Sequence, residues 1–254
     1  MKTSVARALC TEAMGRALAR LLHDQLPFRG LRIDTSAPVF SHRVKAQLFW
    51  RIYESAECRF VQRYLVGAQC AIELGSSLGV VSSHLANVMG VGGRLVCVEA
   101  NPALIPTVKA ALARFQTGKG LDVRVLHAAI GAEGTCREAT LLVGDETVGS
   151  RVVGAPPASR RSVSVPALRL SEAVQRSAFG EYVLVSDIEG AEASFILSDR
   201  GALRSCRRMV IELHDVSCDG RQVGYGELLE ALMARGFRLV DRRGPVVVLD
   251  QAAF

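Results

Sequence analysis

Beyond residue 70 the chain alternates short apolar runs with segments of helical spacing, and its last two runs are separated only by Arg242-Arg243-Gly244. Such alternation folds as a parallel sheet covered by helices, because each parallel neighbour needs a crossover and a helix supplies it. Strands are predicted at 70–74, 94–98, 122–126, 182–187, 208–213, 237–241 and 245–249. Helices are predicted over 79–90, 102–116, 170–178, 191–204 and 224–235. Three residues cannot hold a crossover, so the final two strands must form an antiparallel hairpin. The expected fold is α/β: a doubly wound seven-stranded sheet over residues 66–254, mostly parallel with a C-terminal antiparallel hairpin. Residues 131–166, with Gly144, Gly149, Gly154, Pro156 and Pro157, read as an irregular insertion with room for a short extra hairpin.

Residues 1–65 read as a helical N-terminal extension or lid. Val5, Leu9, Ala13, Ala17 and Leu21 recur every four residues, with Met14, Leu18 and Leu22 alongside, which predicts an amphipathic helix over 4–22. Glu12 and the full apolar stripe suit packing better than a transit peptide or a membrane-surface helix. A linker with Pro27, Gly30 and Pro38 follows, then a second helical stretch over 42–65 with Leu48, Ile52, Phe60 and Tyr64 as core candidates. The formal charge of +6 comes from this quarter: residues 1–63 hold 11 Lys/Arg against 5 Asp/Glu, leaving 20 against 20 of the totals 31 and 25 for the rest. A solvated helix face carrying Arg7, Arg16 and Arg20 explains this bias more simply than an anionic partner, whether nucleic acid, acidic lipid or acidic sugar. No run approaches the roughly 20 apolar residues of a membrane span. The scattered, odd set of seven cysteines fits neither a disulfide framework nor a zinc knuckle, so the expected setting is the reducing cytoplasm.

The first predicted strand ends in Glu73-Leu74-Gly75-Ser76-Ser77-Leu78-Gly79. In an open parallel sheet, ligands sit at the carboxyl ends of strands, and glycines there allow a tight turn and a close approach. The spacing is G-x-x-x-G rather than G-x-G-x-x-G. Ser77 stands where a dinucleotide fingerprint needs a glycine against the pyrophosphate, and Glu73 would oppose a phosphate. S-adenosylmethionine has no phosphate. Glu73 can meet its cationic amino group, and Ser76 and Ser77 offer hydroxyls to its carboxylate. Glu99 ends the next strand, where a carboxylate can accept both ribose hydroxyls. The terminal hairpin points the same way, since class I methyltransferases carry it and dinucleotide dehydrogenase domains usually do not.

Asp187, Glu189 and Glu192 follow the run 182–185, and Glu212 with His214 follows the run 209–211. Where the chain stays extended, Asp187 with Glu189 and Glu212 with His214 project to one side. Crowded carboxylates raise one another's pKa unless a cation compensates. A sulfonium cofactor is one such cation and a divalent metal another; these side chains could all be ligands, but no spacing requires a metal and none is assigned. His214 is the candidate general base for an acceptor hydroxyl, with Asp187 and Glu189 beside it, and a structural role ordering Glu212 is the alternative. His84 reads as packing.

These residues resemble the FkbM-type methyltransferases, class I adenosylmethionine-dependent enzymes that mostly O-methylate sugars, polysaccharides and secondary metabolites. Asp187-Ile188-Glu189-Gly190-Ala191-Glu192 is similar to the family's D-V-E-G-x-E, and Ile211-Glu212-Leu213-His214 to its hydrophobic-E-x-H strand. Val98-Glu99-Ala100-Asn101-Pro102 is similar to F-E-P-N-P, and Tyr53-Glu54 with Glu57 matches the segment before the first strand. His127-Ala128-Ala129-Ile130 stands where the third strand contributes adenine contacts. The resemblance spans roughly residues 50–240. It implies a cofactor site of Glu73, Gly75, Ser76, Ser77, Gly79, Glu99, Asn101, Ala129 and Asp187, with catalysis at His214, Asp187 and Glu189. Two departures stand out: the family's D-V-G-A-N-x-G becomes Glu73-Leu74-Gly75-Ser76-Ser77-Leu78-Gly79, and the lysine two places before D-V-E-G is Val185. The expected function is O-methylation of a small-molecule or glycan hydroxyl; the rivals are a nicotinamide-dependent oxidoreductase and a non-catalytic nucleic-acid-binding module.

Overall fold

A computed structural model describes residues 9–131, 137–144, 150–153, 161–199, 201–218 and 221–252. The central sheet consists of β1 (Cys70–Leu74), β2 (Arg94–Glu99), β3 (Asp122–His127), β4 (Tyr182–Ser186), β5 (Cys206–Glu212), β6 (Phe237–Arg243) and β7 (Val246–Gln251). Its order is β6-β7-β5-β4-β1-β2-β3. Neighbours from β5 to β3 pair in parallel, and β7 runs antiparallel to both β5 and β6. Chain order reverses beside β1, which creates the crevice where a ligand can sit.

Period-two alternation divides the core between the two sheet faces. Ala71, Leu95, Cys97, Val185 and Val210 pack with α1 (Glu12–Leu21), α2 (His42–Phe49), α3 (Ser55–Tyr64), α4 (Val80–Val88) and α5 (Ile105–Lys119). Ile72, Leu74, Val96, Val98, Leu184 and Ile211 pack on the opposite face with α6 (Leu170–Ser177) and α7 (Tyr225–Ala234). No helix among the described residues is long and apolar enough to cross a membrane.

The N-terminal quarter departs from its sequence reading in three ways. Helix α1 begins only after Thr11, whose hydroxyl accepts from the Met14 N–H at 3.2 Å. Its buried face is Gly15, Leu18 and Ala19, while Ala13, Ala17 and Leu21 are exposed. Gly15 explains the rotation: a Cβ there would lie 1.6 Å from the His42 carbonyl oxygen, so α1 touches α2 through its glycine. Val5 lies outside the described residues. The expected linker is a hairpin, Gln25–Phe28 with Leu31–Asp34, turned by Arg29 and Gly30 with φ of 46° and 87°. Both turn residues sit at positive φ, as a two-residue hairpin turn requires, and Leu26, Phe28 and Ile33 are buried. The stretch 42–65 breaks into α2 and α3, with Arg51 and Glu54 at φ of 58° and 38°. That break aims Tyr53 and Glu54 at the sheet edge.

Two further corrections concern the second half. Over 191–204 the regular part is a five-residue π-helical turn, Ser194–Ser198, rather than a full helix. The insertion holds a small sheet: Ala129–Ile130, Ser162–Leu168, Glu138–Leu142 and Arg151–Val153 pair in that order. Gly149, Gly154, Pro156 and Pro157 lie outside the described residues.

Candidate active site

Strand register builds the site. Leu74 pairs with Val98 and Ser186, and Ser186 pairs with Ile211. The next residues along these strands, Gly75, Glu99, Asp187 and Glu212, therefore form one line across the carboxyl edge. The Gly75 N–H donates to the Val98 carbonyl at 2.9 Å, and the Asp187 N–H to the Leu74 carbonyl at 3.1 Å. A cleft opens over this line. Glu54, Gly75, Ser77, Glu99, Ala129, Asp187 and Glu189 line it, with an apolar wall of Leu104, Ile130, Leu141, Val152 and Ile188.

Glu99 is held by the chain itself. Its Oε2 accepts the Ser77 N–H and its Oε1 the Asn101 N–H, each at 2.7 Å. Burial raises its pKa, and these backbone donors oppose that rise. Each oxygen keeps a second lone pair, so two hydroxyl donors can still be accepted. Ser77 takes φ of 48° to aim its N–H, and its hydroxyl lies 3.3 Å from the Tyr53 hydroxyl. Asn101 is buried, its Oδ1 accepting from the Ala103 N–H at 3.1 Å. Ala128 and Ala129 line the cleft beside Ile130, and exposed His127 makes a ring-nitrogen contact of 3.1 Å with the Ala100 carbonyl.

The glycines serve packing as much as ligand approach. A Cβ on Gly75 would stand 1.9 Å from the Asp187 carbonyl oxygen, so only glycine lets β1 and β4 meet there. Gly79, at φ of 74°, opens α4, and a Cβ on it would lie 3.1 Å from the Ala111 Cβ of α5.

Glu73 and Ser76 sit differently from their expected places at the cleft. Alternation turns Glu73 onto the sheet face with Ala71, where it is 1% exposed. Its Oε2 accepts from the Ser76 hydroxyl at 2.8 Å, the Ser82 hydroxyl at 2.5 Å and the Cys97 thiol at 3.2 Å. Ser76 thus spends its hydroxyl on Glu73. Burial raises the Glu73 pKa despite these donors. His84, also buried, contacts the Gln62 amide through Nδ1 at 3.2 Å, and burial lowers its pKa to about 4.

The other half of the edge is crowded with acids. Beyond β4 the chain does not stay extended: Glu189 takes φ of 52° and Gly190 φ of 104° in a turn closed by the Ala191 N–H on the Ile188 carbonyl. Asp187 and Glu189 nevertheless both reach the cleft. His214 Nε2 lies 3.7 Å from Glu189 and 3.9 Å from Glu212. Burial, then the charges of Glu212 and Glu189, push the Asp187 carboxyl well above its ordinary range. Burial and Glu57 push Glu212 up to about 7. Burial pulls the His214 imidazole down, but hydrogen bonding and charge from Glu192, with the charges of Asp187 and Glu212, outweigh it and bring its pKa to about 9.

Sequence reasoning assigned no site role to Glu192 or Glu54. Glu192 is fully buried; its Oε1 accepts from the His214 backbone N–H at 2.7 Å and bonds Nδ1 of the ring at 2.8 Å, and its Oε2 accepts from Gly190. An acid five places after Asp187, within an apolar stretch, was the available signal. Glu54 lines the cleft, its carboxyl raised by burial and by the Asp187 charge. Leu141, Ser150 and Val152 reach the cleft from the insertion.

The residues suit a phosphate-free nucleoside cofactor: a carboxylate with free lone pairs on one side of the Gly75 turn, acids on the other, and an apolar wall among the lining. Asp187 Oδ1 and Ser150 Oγ in the cleft are buried without hydrogen-bond partners, and buried polar atoms are rarely left so.

No curated protein matches the chain in sequence. Among solved structures it is similar to a proposed rRNA methylase from Clostridium thermocellum, with TM-score 0.47 and 9% identity over 78% of this chain and 94% of that one. A precorrin-6y C5,15-methyltransferase from Geobacter metallireducens gives 0.43 and 11% over 80% and 89%. An O-methyltransferase from Bacillus cereus in complex with SAH gives 0.42 and 12% over 76% and 80%. The model of the methyltransferase FkbM domain matches residues 74–239, from the end of β1 into β6. Spanning well over half of the chain and every residue that lines the cleft except Glu54, this match makes the protein a member of the FkbM methyltransferase family.

Proposed function

We propose that the protein transfers a methyl group from S-adenosylmethionine to a hydroxyl of a sugar, polysaccharide or secondary metabolite. The observation that carries this reading is the line Glu99, Gly75, Asp187: a bonded carboxylate and a crowded one on either side of a glycine turn, facing one cleft. Bound there, the cofactor supplies an electrophilic methyl group on a sulfonium. Glu99 would accept the ribose hydroxyls, Ala129 with the apolar wall would hold the adenine, and Asn101 would brace Glu99. Gly75, Ser77 and Gly79 would shape the turn, with Glu73 and Ser76 behind it. Asp187 would face the methyl end.

The acceptor oxygen forms its bond to carbon as the carbon–sulfur bond breaks, and sulfur keeps the electron pair. The hydroxyl proton passes to Glu189, which lines the cleft with His214 Nε2 3.7 Å from its carboxylate. Catalysis comes chiefly from positioning, since a held in-line geometry removes much of the entropic barrier. The free thiols of Cys58, Cys70, Cys97 and Cys206 suit the reducing cytoplasm.

Calorimetry with S-adenosylhomocysteine, followed by an acceptor panel with methyl-labelled cofactor, tests the reading. The expected product carries an alkali-stable methyl ether, and Glu189→Gln lowers turnover at least tenfold with cofactor affinity kept. Label found only as an alkali-labile ester, or NAD(H) binding without S-adenosylhomocysteine binding, would overturn it.

A further inference from the structure

The acids at the ends of β4 and β5 form an arrangement that binding a sulfonium does not by itself require. One oxygen of Asp187, one of Glu212 and one ring nitrogen of His214 all lie within 4.8 Å of one another. Two metal–ligand bonds of roughly 2.0–2.4 Å laid end to end span as much, so one ion can reach all three atoms. It is too wide for direct hydrogen bonding between the ring and Glu212, since His214 Nε2 stands 3.9 Å from the nearest Glu212 oxygen.

Two independent observations point to a cation in this space. Asp187 Oδ1 is buried and has no hydrogen-bond partner. His214 is clamped from behind by Glu192, a residue outside the trio, which is fully buried and meets Nδ1 at 2.8 Å. With Nδ1 held by that carboxylate, Nε2 is the ring nitrogen left to face the acids, 3.7 Å from Glu189 and 3.9 Å from Glu212. A bound cation would displace the Nε2 proton and take its place among these carboxylates. Metal-bound histidines carry this same outer carboxylate, which fixes ring orientation and strengthens the ligand.

We propose that Asp187, Glu212 and His214 bind a divalent cation, with Glu192 as the residue that positions His214. Two carboxylate oxygens and one imidazole nitrogen suit a hard or borderline ion such as Mn²⁺, Mg²⁺ or Zn²⁺. Three protein ligands leave coordination positions open towards the cleft, the pattern of a site that works on a bound oxygen. A cation there lowers the pKa of an acceptor hydroxyl and leaves Glu189 free to take its proton. That use of the ion rests on the methyl transfer proposed above; its binding does not.

Titrating the chelator-stripped full chain with Mn²⁺, and reading free ion by its paramagnetic resonance signal, tests the site; Zn²⁺ is titrated by calorimetry in parallel. The expected result is uptake of one ion per chain. Asp187→Asn and Glu212→Gln each weaken it at least tenfold, and Glu192→Gln weakens it ten- to a hundredfold. Glu227→Gln, which removes a half-buried acid of α7 paired with Arg221, leaves it unchanged. Circular dichroism establishes which variants fold, and the wild-type titration decides alone if they do not. Failure of the folded wild-type chain to take up Mn²⁺ or Zn²⁺, or undiminished uptake in Asp187→Asn, would overturn the proposal. Measured on the same samples, S-adenosylhomocysteine binding without ion uptake sinks only the metal site; ion uptake without S-adenosylhomocysteine binding sinks only the methyl-transfer reading.

Discussion

The two ends of the cleft place carboxylates at the same height of the same sheet and treat them in opposite ways. At Glu99 each oxygen accepts a backbone N–H at 2.7 Å, and those donors work against the pKa rise that burial causes. At Asp187 the neighbouring charges of Glu212 and Glu189 add to that rise. Glu99 is thus finished by its own chain, with lone pairs left for neutral donors. The Asp187 end is short of positive charge, and Val185 stands where the resembling family has a lysine. Rigid, satisfied groups recognise a constant ligand part; a charge deficit calls for a cation. The division fits a common cofactor at one end and chemistry at the other.

The largest expected effect comes where the two ends touch. Gly75→Ala would drive a Cβ to within 1.9 Å of the Asp187 carbonyl oxygen at a φ of 79°. Overpacking against backbone together with left-handed strain should cost about 3–4 kcal/mol of folding stability, measured by chemical denaturation, with loss of S-adenosylhomocysteine binding by calorimetry. Unchanged stability would show that the two ends are not joined through this contact.

Glu99→Gln separates the ends. Replacing the ionised acceptor should weaken S-adenosylhomocysteine about ten- to a hundredfold, since a hydrogen bond to a charged group is worth about 1.5–3 kcal/mol, and should leave ion uptake at Asp187 intact. The pH dependence has a definite sign. The Glu99 carboxyl titrates above its ordinary 4.5, and the ionised form is the better acceptor for two ribose hydroxyls. Affinity therefore falls as pH drops through that raised value and is constant well above it. In Glu99→Gln the fall is absent; a fall that persists there belongs to another group.

These contrasts were partly legible in the sequence. Glu99 and Asp187 could be placed because they end or follow unbroken apolar runs, and parallel pairing brings strand ends into line. Glu73 could not: the same alternation that fills the core turns it onto the sheet face, where Ser76, Ser82 and Cys97 surround it. The N-terminal hairpin was hidden by Pro27, which reads as linker, and the face of α1 by Gly15, whose value lies in the contact it permits. The clamp by Glu192 depends on the turn at Glu189 and Gly190, and positive φ at a glutamate leaves no mark in hydrophobic periodicity.

The smallest expected effect bears on how Ser77 serves the finished end. Ser77 holds φ of 48° so that its N–H reaches Glu99. Left-handed backbone costs most non-glycine residues about 1–2 kcal/mol, and asparagine tolerates it better. Ser77→Asn, which restores the residue of the resembling loop, should raise stability by about 0.5–1 kcal/mol in denaturant titration. It removes a serine hydroxyl whose contact here is with Tyr53 at 3.3 Å, and it keeps the backbone N–H that Glu99 accepts. Affinity for S-adenosylhomocysteine should then stay within twofold. A gain in stability with unchanged affinity would mean that this loop acts through its backbone, as the bonding of Glu99 requires. A marked loss of affinity would move the Ser77 hydroxyl onto the cofactor, and the finished end would depend on a side chain after all.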